Sequence, residues 1–396
     1  MKIEQIYTGC LAQGAYYIQS EGEAVVIDPL RETKPYLDRA REDNASIKYI
    51  LETHFHADFV SGHVELAQKS GATIIYGPHA RTSFDTHIAK DGEILQVGAL
   101  TIKVLHTPGH TPESSCYLLH NESGKAIALF SGDTLFLGDV GRPDLAVKSD
   151  LSEEDLAKQL YHSLRNKIMP LPDNVIVYPG HGAGSACGKN MRKETSGLLC
   201  VEKASNYALR KDMTESEFVK EVTNNLTPAP AYFRENVKLN QEGATSLQQV
   251  LNKGIRPLSV QDIDDLRLNS SVLILDTRPA QIFKNAFIPG AINIGIDGNF
   301  APWVGTLIPN IYQSIVIIAD PKRIKEVIIR LARVGYDNVV GHLEGGFKNW
   351  TLAQKPVDSV TSIDAHQLQQ KMLWTVVGNF LHCENANLQL HKPLQQ

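Results

Sequence analysis

The chain has 396 residues, of which 42% are hydrophobic and 21% are charged, and its formal net charge is −5. This length is too great for one ordinary core and predicts two or three folded domains. The mild acidity, and the lack of a Lys/Arg run interleaved with aromatic residues, exclude nucleic acid as an expected partner.

Targeting and redox signals in the sequence indicate a cytoplasmic protein. The first residues, Met1 to Gln5, form no apolar signal region, and no apolar stretch is long enough to span a bilayer. The cysteines are odd in number and lack C-x-x-C spacing; they are Cys10, Cys116, Cys187, Cys200 and Cys383. We therefore expect free thiols, with neither a disulfide framework nor a membrane partner.

The first part of the chain, up to about residue 227, predicts strands and helices in mixed order. One helix is predicted over residues 34–42, and Asp58 is placed to cap a second helix that ends at Gly71. Apolar runs predict strands at residues 15–18, 24–27, 49–51, 73–76, 100–105, 116–119, 126–130 and 174–178.

The stretch that follows the strand at 49–51 carries His54, His56 and Asp58 at alternate positions. Residues two apart in an extended segment point to the same side, so these side chains can converge on one ion. For this motif alone, surface histidines that fall near an acid by chance are the alternative.

Three later strands also end in polar loops, and each loop carries a metal-ligating residue directly after a glycine. These residues are His110, Asp133 and His181. Glycine lets the backbone turn tightly and approach an ion closely. Together, the four strand ends predict a metal site.

The motifs T-H-x-H-x-D, P-G-H-T, G-D-T and P-G-H-G, in this order, resemble those of the metallo-β-lactamase superfamily over roughly the first 230 residues. The resemblance implies an α/β fold, the αβ/βα sandwich, with the metal at one edge. It places in or near the metal site His54, His56, His110, Asp133 and His181.

One departure from the superfamily pattern bears on the number of metal ions. Two-metal hydrolases of the superfamily carry a second histidine directly after the aspartate, whereas this chain has Phe59 there. A phenyl ring cannot coordinate a metal, so we expect one ion per chain.

Among single-metal members, the chain resembles the persulfide dioxygenases, also through residues 138–145 and 182–190. That resemblance implies one Fe(II) held by His54, His110 and Asp133, with zinc as the alternative metal. Two imidazoles and one carboxylate leave three coordination positions open, as in non-haem Fe(II) oxygenases.

For other residues near these motifs, the sequence leaves two possible roles open. His56, Asp58 and His181 either orient ligands or water, or serve as alternative ligands. Arg142 is expected to lock the metal loop through an ion pair with Asp144, and contact with substrate is the alternative. Cys187 is either a small buried cysteine or a thiol that handles sulfur.

The resemblance implies a persulfide dioxygenase, which oxidises a low-molecular-weight thiol persulfide with O2 to sulfite and thiol. Glutathione persulfide and coenzyme A persulfide are the expected kinds of substrate. The alternative enzyme is a thioester hydrolase of the glyoxalase II kind, which needs a metal-activated water. A non-catalytic sulfur-carrier or docking protein is the alternative of another class, and a homo-oligomer is left open.

From about residue 256, strands alternate with helices, which predicts a parallel α/β sheet. The motifs D-x-R at 276–278, I-P-G-A-I-N at 288–293 and L-E-G-G-F-x-x-W at 343–350 resemble a rhodanese domain. An active rhodanese needs a cysteine in the loop after the central strand, where this chain has residues 319–323, Ala-Asp-Pro-Lys-Arg. We therefore expect packing or docking from this domain instead of sulfur transfer.

The predicted division of the chain has four parts. They are a metal domain with C-terminal helices at 1–227, a polar linker at 228–255, a rhodanese-like domain without the catalytic cysteine at 256–358, and a tail at 359–396. The tail, which holds His382 and Cys383, is interpreted as the start of an incomplete second rhodanese-like repeat or as a simple extension.

Overall fold

The structure is a computed structural model that describes residues 1–147, 151–268 and 271–370. Cys383, His382 and most of the predicted tail lie outside these residues. No helix within the described ranges is both long and apolar enough to cross a bilayer.

Two six-stranded sheets form the first half of the molecule. The first has the order β1 to β6, with strands β1 (Lys2–Thr8), β2 (Gln13–Ser20), β3 (Glu23–Ile27), β4 (Ser46–Leu51), β5 (Thr73–Tyr76) and β6 (His87–Ile88). The second runs from β12 back to β7, with strands β7 (Ile94–Val97), β8 (Leu100–His106), β9 (Ser115–His120), β10 (Ala126–Gly132), β11 (Ile176–Pro179) and β12 (Gly197–Leu198).

The two sheets pack face to face through apolar side chains that point to their inner faces, and strands such as β2 are apolar on both faces. In β8, Ile102 and Val104 are fully buried while Thr101 and Lys103 are half-buried. One apolar cluster joins the inner faces of both sheets, and separate clusters bury their outer faces under helices. These helices are α1 (Lys34–Glu42), α2 (His63–Ser70), α3 (Glu153–Ser163), α4 (Leu199–Ser205) and α5 (Glu215–Thr223). The predicted αβ/βα sandwich is confirmed.

Helix α2 does not begin where the sequence indicated. Its N-cap is Gly62, so the expectation that Asp58 caps it is wrong, although Gly71 does end it with a positive φ of 75°. Asp58 instead faces His181, whose Nε2 lies 2.8 Å from Asp58 Oδ2. The charge of the imidazole is a stronger partner for the carboxylate than the backbone N–H groups of a helix start.

The segment predicted as a polar linker contains two helices, α6 (Phe233–Glu242) and α7 (Leu247–Gly254). The expectation of a polar connection there is wrong because α7 places Leu247, Val250 and Leu251 on one buried face. Those side chains belong to a single apolar cluster that also contains Phe59 of the first half and Ile328 of the second. The exact boundaries between the predicted domains stay predictions.

The second half is a five-stranded sheet in which the described pairs are all parallel, in the order β13-β17-β16-β14-β15. Its strands are β13 (Pro257–Leu258), β14 (Val272–Asp276), β15 (Ile292–Asn293), β16 (Ser314–Ile318) and β17 (Val339–Leu343). Its helices are α8 (Val260–Leu266), α9 (Ala280–Phe283), α10 (Phe300–Leu307), α11 (Ile324–Arg333) and α12 (Phe347–Leu352). The predicted parallel α/β architecture of this half is confirmed.

Candidate metal centre

The loop after β4 is anchored by the carboxylate of Asp28, which lies directly after β3. Asp28 accepts hydrogen bonds from the backbone N–H of Thr53 at 2.8 Å and from its hydroxyl at 2.9 Å. The Thr53 hydroxyl oxygen also lies 3.0 Å from His54 Nδ1. Because the hydroxyl proton goes to Asp28, Nδ1 of His54 carries the hydrogen, and the lone pair of His54 is left on Nε2.

His110 is oriented in the same way by a backbone carbonyl. Its Nδ1 donates to the carbonyl oxygen of Arg142 at 2.8 Å, which leaves the Nε2 lone pair free. Gly141 leaves room for this contact, since a Cβ there would lie 2.9 Å from His110 Nδ1, and Gly109, with φ of 144°, lets the loop pack closely on α3, since a Cβ there would lie 2.4 Å from the backbone of Leu160.

Asp133 completes the group from the end of β10. Its Oδ1 accepts a hydrogen bond from His181 Nδ1 at 2.8 Å, while Oδ2 lies 3.5 Å from His110 Nε2 and 3.9 Å from His54 Nε2. One ligand atom from each of the three residues lies within 4.8 Å of the others. The structure therefore brings together the three residues that the sequence nominated as metal ligands.

The buried atoms of this group fit a cation. Among the described residues, His54 Nε2 and Asp133 Oδ2 have no hydrogen-bond partner although both are buried. A buried polar atom left without a partner costs about 1–3 kcal/mol, and a bound metal ion would remove that cost. The donor set of two imidazoles and one carboxylate suits iron or zinc.

The protonation states of the group also suit a metal. Burial, together with the neighbouring His56, holds the pKa of His54 well below its ordinary value, so its imidazole is neutral. Burial opposes ionisation of Asp133, yet His181 and the other imidazoles hold the pKa of Asp133 well below its ordinary range. The site thus offers neutral imidazole nitrogens and an anionic oxygen.

His56 lies beside this group but faces two acids. Its Nε2 is 3.1 Å from Asp28 Oδ1 and 3.5 Å from Glu52 Oε2, and all three residues are buried. Burial and the nearby Asp28 raise the pKa of Glu52 well above its ordinary value. Sequence reasoning missed Asp28 and Glu52, although each comes directly after a strand that leads to the site.

Asp58, His181 and Cys187 form a neighbouring cluster whose ligand atoms also lie within 4.8 Å of one another. Burial opposes protonation of His181, but the carboxylates of Asp133 and Asp58 raise its pKa well above the ordinary value. Cys187 is 1% exposed, and burial raises the pKa of its thiol. The two carboxylates therefore favour the imidazolium form of His181, and burial favours the neutral thiol of Cys187 beside it.

Arg142 belongs to the loop that holds His110. Its guanidinium donates to both carboxylate oxygens of Asp144 at 2.6 Å and to the carbonyl oxygen of Thr227 at 2.6 Å. Its own carbonyl is the acceptor for His110. Arg142 thus forms the ion pair with Asp144 that the sequence suggested, and contact of Arg142 with substrate stays untested.

Contacts from the second half of the chain hold the metal loop in place. The side-chain amide of Asn240, on α6, donates to the carbonyl oxygens of His56 and Phe59 and accepts from the N–H of Ser61, each at 2.8 Å. At the end of α11, the carbonyl oxygen of Arg333 accepts from the N–H of Val60 at 2.7 Å. Sequence reasoning missed these contacts because nothing in the local pattern around Asn240 marks it as buried.

A cavity of about 500 Å³ opens beside His110. Its walls come from the metal loop, from the loop after β8, from residues 145–147 and from α6. This volume is within the range of small-molecule sites.

The fold and the site define a metalloenzyme with an αβ/βα sandwich and a rhodanese-like second unit. The metallo-beta-lactamase superfamily matches residues 8–181, and the rhodanese-like domain family matches residues 259–353. The chain belongs to the metallo-beta-lactamase superfamily and carries a rhodanese-like domain after the metal-site half.

Named relatives include enzymes of two kinds. Hydroxyacylglutathione hydrolase GloC of Haemophilus influenzae is 30% identical over 215 residues, which cover 48% of this chain and 96% of GloC. The human mitochondrial persulfide dioxygenase ETHE1 is 32% identical over 210 residues, covering 52% of this chain and 74% of ETHE1.

Solved structures support the two-part architecture. A metallo-beta-lactamase from Staphylococcus aureus matches with a TM-score of 0.77 at 33% identity, over 87% of this chain and 98% of that protein. ETHE1 from Myxococcus xanthus matches with a TM-score of 0.52 at 28% identity, over 61% of this chain and 98% of its own. The first likeness extends well beyond the metal-site half.

We expect Asn240→Ala to lower the free energy of unfolding by about 2–4 kcal/mol, because it leaves one N–H and two carbonyl groups of the metal loop unsatisfied. Urea unfolding of the full chain measures the change. Asn252→Ala, an exposed position on α7, is the matched control and is expected to change stability by less than about 0.5 kcal/mol. Equal losses in the two variants would contradict the proposed anchoring.

We expect His181→Ala to weaken metal binding by about 10–100-fold, because Asp133 Oδ1 loses the group that orients it. Competition with a chelator measures the affinity. His162→Ala, which removes an exposed histidine paired with Glu215, is the control. Loss of a whole equivalent of metal, with unchanged affinity of the remaining one, would instead identify His181 as a ligand of a second ion.

Proposed function

We propose that this protein is an Fe(II)-dependent persulfide dioxygenase, which oxidises a low-molecular-weight thiol persulfide with O2. The observation that carries the proposal is the convergence of His54 Nε2, His110 Nε2 and Asp133 Oδ2 beside an open cavity. The similarity to human persulfide dioxygenase supports it. A cytoplasmic location and the identity of the thiol carrier stay predictions.

The reaction balances without a further redox partner. One persulfide, one O2 and one water give one thiol, one sulfite and two protons. The bond between the two sulfur atoms breaks, and the terminal sulfur passes from the formal oxidation state −1 to +4. Of the five electrons that it loses, four go to O2 and one goes to the inner sulfur, which passes from −1 to −2 as the thiol.

His54, His110 and Asp133 would hold the iron, which supplies the oxygen chemistry associated with two histidines and one carboxylate. The residues of this chain fix the geometry. The Thr53 hydroxyl and the Arg142 carbonyl hold the two imidazoles, and His181 holds the carboxylate.

The second candidate function is hydrolysis of a glutathione thioester, as in hydroxyacylglutathione hydrolase. The cluster of Asp58, His181 and Cys187 favours it, since its three ligand atoms are close enough to share a second ion. The similarity to GloC also supports it. Against it, both nitrogens of His181 lie 2.8 Å from carboxylate oxygens.

The rhodanese-like domain is not proposed to transfer sulfur. Its loop after β16 has no cysteine, and the carboxylate of Asp320 accepts the N–H of Lys322 at 2.9 Å. In an active rhodanese, the backbone N–H groups of this loop stabilise a cysteine thiolate. Here, one of these N–H groups is hydrogen-bonded to the Asp320 carboxylate instead. We propose that the domain supports the metal loop through Arg333 and the helices next to it.

Anaerobic purification with metal analysis, followed by O2 consumption on glutathione persulfide, tests the proposal. We expect one iron per chain and one sulfite per O2 consumed. In His110→Ala, we expect both the iron and the O2 uptake to fall to background, since a three-residue site loses one ligand. His87→Ala, an exposed histidine paired with Glu93, is the control.

Two zinc ions per chain with thioester hydrolysis would contradict the dioxygenase and favour the hydrolase. Tight iron binding with neither activity would contradict both enzyme proposals and favour a carrier or docking role.

A further inference from the structure

A second group of possible metal ligands lies beside the candidate iron site, where β3 and β4 end. It consists of Asp28, Glu52 and His56, which are all buried, and one ligand atom of each lies within 4.8 Å of the others. None of these three residues belongs to the candidate iron site. The group is therefore a separate candidate for a metal ion.

Both carboxylates of this group are fixed by hydrogen bonds from nearby residues. Asp28 accepts the N–H and the hydroxyl of Thr53. Glu52 accepts the hydroxyl of Ser61 on Oε1, whereas its buried Oε2 has no hydrogen-bond partner among the described residues. Carboxylates that are held in this way keep a constant direction toward a bound ion.

The ring of His56 approaches both carboxylates without forming a hydrogen bond to either. Its Nε2 lies 3.1 Å from Asp28 Oδ1 and 3.5 Å from Glu52 Oε2. Within the described part of the chain, neither ring nitrogen of His56 has a hydrogen-bond partner. Ligand atoms that lie about 2.1 Å from one shared zinc ion are roughly 3.0–3.5 Å from each other. The three atoms are thus spaced as the ligands of one ion are.

His63 adds another unsatisfied group next to Glu52. Its Nδ1 lies 3.4 Å from Glu52 Oε1, the residue is 1% exposed, and both of its ring nitrogens lack a partner in the described ranges. Burial and the neighbouring His56 lower the pKa of His63 to about 3, so this imidazole is neutral and does not balance the charge of the carboxylates. Burial and the nearby Asp28 raise the pKa of Glu52, and a divalent cation between the two carboxylates would offset both effects.

We propose that Asp28, Glu52 and His56 bind a structural divalent cation, distinct from the iron of the proposed reaction. One imidazole nitrogen and two carboxylate oxygens suit zinc or Mn(II). The ligands come from the end of β3, the end of β4 and the metal loop, so the ion would tie this loop to both strands. The inference does not depend on the reaction that the candidate iron site catalyses.

Anomalous X-ray diffraction tests the site directly, on crystals of the full-length protein purified from cells grown with iron, zinc and manganese. We expect a peak among Asp28 Oδ1, Glu52 Oε2 and His56 Nε2, and the absorption edge at which the peak appears identifies the metal. The absence of a peak at this position would overturn the proposal, whatever the candidate iron site contains. It would show that the three groups share only protons.

Metal analysis of a conservative variant then tests Glu52 as a ligand. Glu52→Gln keeps the size of the side chain but removes its charge, and we expect the content of the second metal to fall from about one to below about 0.2 per chain. The iron content is expected to stay unchanged. Glu202→Gln, at a fully buried glutamate paired with Arg192, is the matched control and is expected to keep both metals. Retention of the second metal in Glu52→Gln would contradict the proposed site.

A further variant separates this site from the cluster of Asp58, His181 and Cys187. Asp58→Asn is expected to leave the second metal in place. Loss of that metal in Asp58→Asn, together with its retention in Glu52→Gln, would assign the ion to the other cluster and overturn the proposal. If Glu52→Gln does not fold, the anomalous peak of the wild type still decides. Persulfide oxidation by a protein without the second ion would overturn this site and leave the dioxygenase standing.

Discussion

The orientation of one buried carboxylate, that of Asp133, is the constraint on which the metal centre depends. Its two oxygens have different tasks, since Oδ1 accepts from His181 and Oδ2 faces His54 and His110. Without a donor on Oδ1, the carboxylate would be free to rotate in a site where an ion needs fixed directions. His181 in turn lies 2.8 Å from Asp58, so a series of charged pairs fixes the side chains from Asp133 to Asp58.

Parallel pairing of neighbouring strands explains why the residues of the site lie at strand ends. Parallel pairing of β10 with β11 brings Asp133 and His181 to the same edge of the second sheet. Parallel pairing of β3 with β4 does the same for Asp28 and the metal loop in the first sheet. Polar contacts between these strand ends, such as that of His181 with Asp133 and that of Thr53 with Asp28, then orient the side chains, and Asn240 and Arg333 hold the metal loop from farther along the chain. This arrangement lets a buried polar cluster exist without disturbing the apolar interior.

The sequence predicted the strands and the strand-end loops with their possible ligands because those signals are local, whereas the αβ/βα sandwich and the set of three ligands were implied by the resemblance to the metallo-β-lactamase superfamily. Apolar runs of strand length and glycine-containing loops are readable in windows of a few residues. The supporting residues were not predictable in this way, since Asn240 contacts His56 across 184 positions of the chain. Asn236 and Asn240 also made α6 look like a solvated linker, because a buried asparagine has the same sequence signal as an exposed one. Asp58 was misassigned for a related reason: its N-cap preference is local, whereas its attraction to His181 depends on the tertiary fold.

The rhodanese-like half, which lacks the catalytic cysteine, packs against the metal-site half through a shared apolar cluster. One continuous apolar cluster joins Phe59, next to the metal loop, to Val250 and Leu251 of α7 and to Ile328 and Leu331 of α11. Removing the second half would expose this surface at roughly 25 cal/mol per Å² of apolar area and would also remove the acceptor for Val60 N–H. Phe59 thus has a packing role at the end of the metal loop, where its ring joins this apolar surface. The coupling of the two halves therefore begins directly beside the candidate metal residues.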